Sequence, residues 1–166
     1  MVEVYLGLGS NLGDREKNIA QALELLGKVG RVVALSPLYE TEPVGLTGPP
    51  FLNGVCQYLT ELGPEGLLSF IKGIESRLGR KPRLFSRPID IDILIYGDLV
   101  VNSEALTIPH PRLAERAFVL VPLAELAPEL VVPGSRQKVS QLLARVSRDG
   151  VRPWAPEKAR RRQGSV

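Results

Sequence analysis

Asp90 and Asp92 stand two residues apart in the run Pro88-Ile-Asp-Ile-Asp-Ile-Leu-Ile-Tyr96. Side chains alternate along an extended strand, so the two carboxylates share one face while Ile89, Ile91 and Ile93 share the other. Acidic groups paired on what reads as a central strand need cations beside them. Carboxylates aimed together commonly hold Mg²⁺ against substrate phosphates. A solvated edge strand would show the same alternation, but the flanking residues favour the metal reading. Arg80, Lys81, Arg83 and Arg87 lie just upstream, and His110, Arg112 and Arg116 lie downstream. Arginine offers a planar fork that matches phosphate oxygens, and it keeps its charge. Any one of them could be an ordinary surface residue; with the aspartates they predict a nucleotide-phosphate site. His110, between two prolines in a stiff turn, is either a structural residue or a phosphate hydrogen-bond donor whose charge switches near neutral pH. Glu75 sits beside an apolar helical stripe and reads by default as solvated.

A second grouping suits a flat heterocycle. Phe51 and Asn53 share a strand face, and Phe118 follows Arg116-Ala117. Aromatic rings stack on a heterocycle, and an amide donates and accepts at its edge. From spacing alone, the simpler reading of both phenylalanines is core. Gly7-Leu-Gly9-Ser-Asn-Leu12 is not a dinucleotide fingerprint: Leu12 stands where the third glycine belongs, and no suitable acidic residue follows about 20 positions on. There is no G-x-x-x-x-G-K-[ST] loop and no G-x-S-x-G elbow. Gly9-Ser10-Asn11 therefore reads as a turn at the top of a strand.

The elements that must position these groups follow the order β-α-β-β-α-β. Val2, Val4, Leu6 and Leu8 alternate as a first strand. Asp14 caps a helix through about Gly27, with Ile19, Ala22, Leu23 and Leu26 inward. Residues 31–37 form a second strand, 42–50 an irregular Pro/Gly loop, and 51–62 a long third strand. Pro64 opens and Gly79 closes a helix with the stripe Leu67, Ile71, Ile74 and Leu78. After the strand 88–96, a tight turn at Gly97-Asp98 leads to a hairpin arm at 99–101. A helix after Pro111, interrupted at Pro122, and a short helix over 138–146 complete the chain. This order predicts an α+β fold, a ferredoxin-like antiparallel sheet of split βαβ type with helices packed on it and C-terminal additions. Residues 1–149 are expected to be a single catalytic domain and 150–166 a basic tail.

The composition narrows the classes. Of 166 residues, 44% are hydrophobic and 23% charged, with a net charge of +3. One cysteine, Cys56, excludes an internal disulfide and multi-cysteine zinc sites, and one histidine excludes multi-histidine centres. No apolar run reaches the roughly 18 residues of a membrane span. Met1-Val-Glu-Val4 opens a strand rather than a signal peptide. The expectation is a cytoplasmic protein with no membrane partner. Four of the 21 basic residues lie in Lys158–Val166, so the basic character belongs to the tail and not to a nucleic-acid footprint.

Taken in order, several pieces resemble the 6-hydroxymethyl-7,8-dihydropterin pyrophosphokinase family across about residues 4–130. They are Gly9-Ser-Asn-Leu12, Tyr39-Glu-Thr41-Glu-Pro43-Val-Gly45, Phe51-Leu-Asn53, Ile74-Glu75 with Gly79-Arg80, Arg87-Pro-Ile-Asp90-Ile-Asp92-Ile93-Leu94, and Pro109-His110 with Arg116-Ala-Phe118. The resemblance implies transfer of the β,γ-diphosphate of ATP to the pterin hydroxymethyl oxygen, with release of AMP, in folate biosynthesis. It implies two Mg²⁺ ions bridged by Asp90 and Asp92, and Arg80 and Arg87 acting on the triphosphate. Lys72, Glu75, Arg83, Ile93, Thr107, His110 and Arg116 would surround ATP. The pterin would lie between Phe51 and Phe118, with Asn53, Gly9, Thr41, Pro43, Val44, Gly45 and Asp90 around it. The loops 42–50 and 80–87 match loops that close over the substrates. Here 80–87 is shorter than in the best-known members. Leu84 replaces a frequent tryptophan, Ser86 a proline and Pro111 a tyrosine. The partners implied are small molecules, ATP and the pterin, acting on a monomer without nucleic acid. Two rivals stand beside this reading. One is another Mg²⁺-dependent nucleotidyl or phosphoryl transferase. The other is an RNA-binding ferredoxin-like module, supported by the basic tail but lacking an aromatic RNP1 run.

Overall fold

In the computed structural model, which describes residues 1–43, 48–79 and 87–154, the alternating N-terminal run forms β1 (Val2–Ser10). The Asp14 carboxylate accepts the Lys17 amide at 3.1 Å and caps α1 (Arg15–Leu26), satisfying one of the donors left open at a helix start. Next come β2 (Gly30–Leu35), β3 (Tyr39–Thr41) and β4 (Phe51–Thr60). Pro64 begins α2 (Pro64–Arg77), where its missing N–H costs nothing, and Gly79 at φ +98° turns the chain away after the helix. β5 (Asp90–Tyr96) carries the aspartates. Beyond it lie β6 (Val101–Asn102), β7 (Thr107–Ile108), a 3₁₀ turn at Leu113–Glu115, α3 (Ala117–Leu126), β8 (Val131–Val132), β9 (Gln137–Lys138), α4 (Val139–Leu143) and β10 (Val151–Pro153). No described helix is long and apolar enough to cross a membrane.

β4 pairs antiparallel with β1, and β1 with β5; along the other side of β4, β2 and β3 lie end to end. With helical crossovers α1 and α2, this is the expected ferredoxin-like split βαβ sheet. One face buries Leu6, Leu8, Leu52, Tyr58, Ile91 and Ile93 under α1 and α2, which contribute Ile19, Leu26, Leu67 and Ile71. Each such side chain removed from water contributes about 1.5–3 kcal/mol. On the opposite face, Tyr5, Val55, Leu94 and Ile95 pack against Leu120 and Leu123 of α3 and Leu142 of α4. The rest of that face presents Gly7, Gly9, Asn53, Asp90 and Asp92. Leu94 is an extra residue: Ile93 pairs with Leu6 and Ile95 with Tyr5. This bulge is where β5 passes from the aspartate alternation to a continuously apolar end.

Four features depart from the sequence reading. Among the described residues β5 is an edge strand of the main sheet rather than central; its apolar run is buried by helices on both faces, not by strands on both sides. The arm expected at 99–101 does not return to β5. The Gly97 amide donates to Glu3 O at 2.8 Å, the chain leaves, and β6 pairs with β7. Pro122 does not interrupt α3. It removes the ladder bond to the Phe118 carbonyl, but burial of Val119, Leu120, Val121 and Leu123 holds the helix together. Finally, residues 151–153, expected in the tail, pair with β3.

Candidate active site

Strand register builds the site floor. Tyr39, Asn53, Gly9 and Asp90 form one cross-strand row, and Val55, Gly7 and Asp92 the next. At about 4.8 Å per strand, the Asn53 and Asp90 backbones lie roughly 10 Å apart across Gly9. The glycines keep that floor low. A Cβ on Gly9 would stand 2.7 Å from Asn53 Oδ1, and one on Gly7 3.5 Å from the Leu94 side chain. The Asn53 Nδ2 donates to Thr41 Oγ1 at 2.5 Å, which fixes the amide at 8% exposure. A cavity of about 500 Å³ opens above this floor, walled by Thr41, Pro43, Phe51 and Phe118 among others. Both phenylalanines are half-buried at its wall rather than sealed in the core.

A second cavity of about 310 Å³ lies between α2 and β5, with Lys72, Glu75 and His110 in its wall. Arg87, Asp90, Asp92 and Arg116 line both cavities, so the two spaces meet along the aspartate pair. Arg87 Nη1 lies 3.1 Å from Asp90 Oδ1, with both side chains largely shielded. Its backbone is clamped by Asn11: the Arg87 amide donates to Asn11 Oδ1 at 2.6 Å, and the Asn11 amide donates to Arg87 O at 3.0 Å. Arg116 adopts an extended backbone between the 3₁₀ turn and α3, with its guanidinium 5.4 Å from the Phe118 ring centroid.

Glu75 is not solvated. It is 7% exposed, and its Oε2 accepts the Ile91 amide at 3.0 Å from the outer side of β5. His110 is held from the same side, its amide donating to Leu94 O at 2.9 Å. Its Nδ1 accepts the Arg112 amide at 3.2 Å, which leaves the proton of the neutral ring on Nε2. Burial, and then the Arg116 charge, lower its pKa below the ordinary 6.5 against the opposing pull of Asp90. The charge switch expected near neutrality therefore moves to more acidic pH.

The structure thus brings Gly9, Thr41, Pro43, Phe51, Asn53, Lys72, Glu75, Arg87, Asp90, Asp92, His110, Arg116 and Phe118 around two joined cavities. Ile93 instead points into the core beneath α1 and α2. Thr107 lies in the β6–β7 hairpin, outside both walls as described. Arg80, Arg83, Val44 and Gly45, with the rest of 44–47 and of 80–86 in the two expected closing loops and the basic residues from 158, lie outside the described residues. Sequence reasoning missed Gly7 and the clamp by Asn11. The available signal for Gly7 was glycine at two alternate positions of the first strand, 7 and 9, which bares that end of one face. The donor set fits magnesium: hard carboxylate oxygens of Asp90 and Asp92, one or two of which Mg²⁺ typically combines with substrate phosphates.

Solved structures share the fold that carries these residues. The HPPK-DHPS of Plasmodium falciparum, crystallised with pteroate, superposes with a TM-score of 0.71 at 16% identity, over 86% of this chain and 42% of that one. That likeness establishes a shared fold. The sequence model of 7,8-dihydro-6-hydroxymethylpterin-pyrophosphokinase (HPPK) matches residues 5–128, and this chain belongs to that family. A 2-amino-4-hydroxy-6-hydroxymethyldihydropteridine pyrophosphokinase of Methylorubrum extorquens is 46% identical over 156 residues, 91% of this chain and 98% of the relative. The folic acid synthesis protein fol1 of Schizosaccharomyces pombe is 45% identical over 91% of this chain. The chain spans about a fifth of the length of the fungal fol1 relatives, 21% in each case.

Proposed function

We propose that this chain transfers the β,γ-diphosphate of MgATP to the hydroxymethyl oxygen of 6-hydroxymethyl-7,8-dihydropterin and releases AMP. The observation that carries this reading is the shared wall: Asp90, Asp92, Arg87 and Arg116 border both cavities. The larger space takes the pterin, its rings against Phe51 and Phe118 and its edge on the Asn53 amide. The smaller takes the nucleotide, with Lys72, the His110 Nε2–H and Arg116 facing its phosphates. The hydroxymethyl oxygen and the β-phosphorus then meet over the aspartates. A bond forms between them as the hydroxyl gives up its proton to solvent, and the bond from the β-phosphorus to the α,β-bridging oxygen breaks, that oxygen leaving on AMP. Such transfers depend mainly on positioning and on charge neutralisation.

Asp90 and Asp92 hold two Mg²⁺ ions in this reading, which when bound neutralise and orient the phosphates. Arg87, fixed by Asn11 and paired with Asp90, faces the charge that develops on the leaving α-phosphate. Arg80 and Arg83 join it on the triphosphate, and Val44 and Gly45 border the pterin. The catalytic domain, expected to end at 149, runs in this reading to 154, with a basic tail beyond. It works as a cytoplasmic monomer on small molecules; a single cysteine, Cys56, suits a reducing compartment. The test is incubation with ATP, Mg²⁺ and the pterin. AMP and the pterin diphosphate should form in equal amounts, whereas ADP, or turnover without the pterin, overturns the reading.

A further inference from the structure

We propose that residues 147–154 form a working wall of the acceptor cavity, fastened by Arg152 and Trp154, and that this segment sets affinity for the pterin but not for ATP. The proposal rests on the function proposed above. The family match ends at residue 128, and the sequence alone places the end of the chain in a tail. Yet Ser147, Asp149, Gly150 and Val151 line the 500 Å³ cavity. None of them lines the 310 Å³ cavity.

The wall is built on a residue of the site itself. Val151 pairs with Thr41, which pairs in turn with Phe51, and Thr41 Oγ1 receives the Asn53 amide. The Glu42 amide donates to Gly150 O at 3.2 Å, and the Val151 amide to Arg148 O at 3.1 Å. Gly150, at φ +79°, makes the left-handed step that brings the chain into β10. A shift of β10 is therefore a shift of Thr41 and of the amide that Thr41 fixes.

A strand of three residues is short, and side chains rather than its ladder fasten it. Arg152 Nη2 reaches Glu42 Oε1 at 2.9 Å and Glu40 Oε1 at 3.4 Å. Arg15 Nη2 takes the other oxygen of Glu40 at 2.8 Å, and Arg15 Cζ lies 4.9 Å from the Trp154 ring centroid. The Trp154 amide donates to Leu38 O at 2.9 Å, and its Nε1 to Glu16 Oε1 at 2.6 Å. Each exposed ion pair alone is weak; here they converge on one segment from β3 and from the first turn of α1.

The test compares Arg152→Ala and the double variant Arg152→Ala/Trp154→Ala with the wild type, following AMP release. KM for the pterin should rise about threefold in the single variant and tenfold or more in the double, with KM for ATP unchanged within twofold. Lys138→Ala, which breaks a comparable exposed pair with Glu129 at 2.6 Å, should move neither. An unchanged pterin KM in a folded variant overturns the proposal, and so does an equal rise in both constants. If the double variant does not fold, Arg152→Ala alone decides. A wild type that releases no AMP refutes the proposed function instead; calorimetric titration of the pterin into wild type and Arg152→Ala then decides the wall separately, equal affinities overturning it.

Discussion

Replacing Gly9 by alanine should separate acceptor recognition from nucleotide binding. The added Cβ would stand 2.7 Å from Asn53 Oδ1, roughly half an ångström or more inside ordinary contact. The conflict is not relieved cheaply, because Asn53 is 8% exposed and its amide is tied to Thr41. Gly9 does not have a positive φ, so backbone strain is not at issue. Turning the amide aside gives up one buried hydrogen bond, about 1 kcal/mol. For a chain of this size that lowers Tm by about 2–4 °C. Losing the amide at the pterin edge costs about 1.4 kcal/mol more, a tenfold rise in KM for the pterin. KM for ATP should stay within twofold, since the smaller cavity does not include Asn53. Thermal melts with AMP-release kinetics measure all three quantities. A Gly9→Ala enzyme with wild-type pterin KM, or with both constants raised together, refutes this account of the floor.

The remaining predictions concern the junction of the cavities. Asp90→Ala and Asp92→Ala should each lower kcat by at least about a hundredfold with little change in melting, since in the proposed mechanism both carboxylates act on charge in the transition state; near-normal turnover in either would end the two-metal proposal. Arg87→Ala should reduce kcat more than it raises KM for ATP, and an effect confined to KM would contradict its role toward the leaving phosphate. His110 should titrate below 6.5 by NMR, chiefly because of burial and then Arg116. Its folded pKa is lowered, so the unfolded chain binds the proton more readily. The associated stability is complete above 6.5 and is lost as pH falls through the folded value. Arg116→Ala should move that titration upward, and a titration above 6.5 in the wild type contradicts the described environment.

Features written in local spacing were legible in the sequence. Asp90 and Asp92 share a face because strands alternate, and Asp14, Pro64 and Gly79 mark helix ends by chemistry that depends on their nearest neighbours. The strand and helix order was enough to give the four strands β1, β2, β4 and β5, but not β3 and β10, which complete the sheet. What stayed hidden depends on distant pairings. Glu75 reads as a surface acid until its partner, a backbone amide 16 residues on, is known. β10 is too short to show periodicity, and β5 reads as central because helices, not strands, bury it. Pro122 signals a break that the burial of its neighbours overrides. Gly7 and Gly9 gain meaning only when Asn53, Asp90 and Asp92 are brought beside them across two strand pairings.

The position of β5 has a consequence for how the protein behaves in concentrated solution. A strand with an open flank invites another chain to extend the sheet. On this flank the Ile91 N–H is taken by Glu75 and the Leu94 carbonyl by the His110 amide. Two residues at the wall of the smaller cavity thereby also deny the strand to other copies. A Glu75→Ala variant would reopen part of that flank, and sedimentation at rising concentration should show it self-associating where the wild type does not. Equal behaviour of the two would leave Glu75 without this protective role. That result would give one side chain two tasks, at the wall of the proposed nucleotide cavity and at the edge of the sheet.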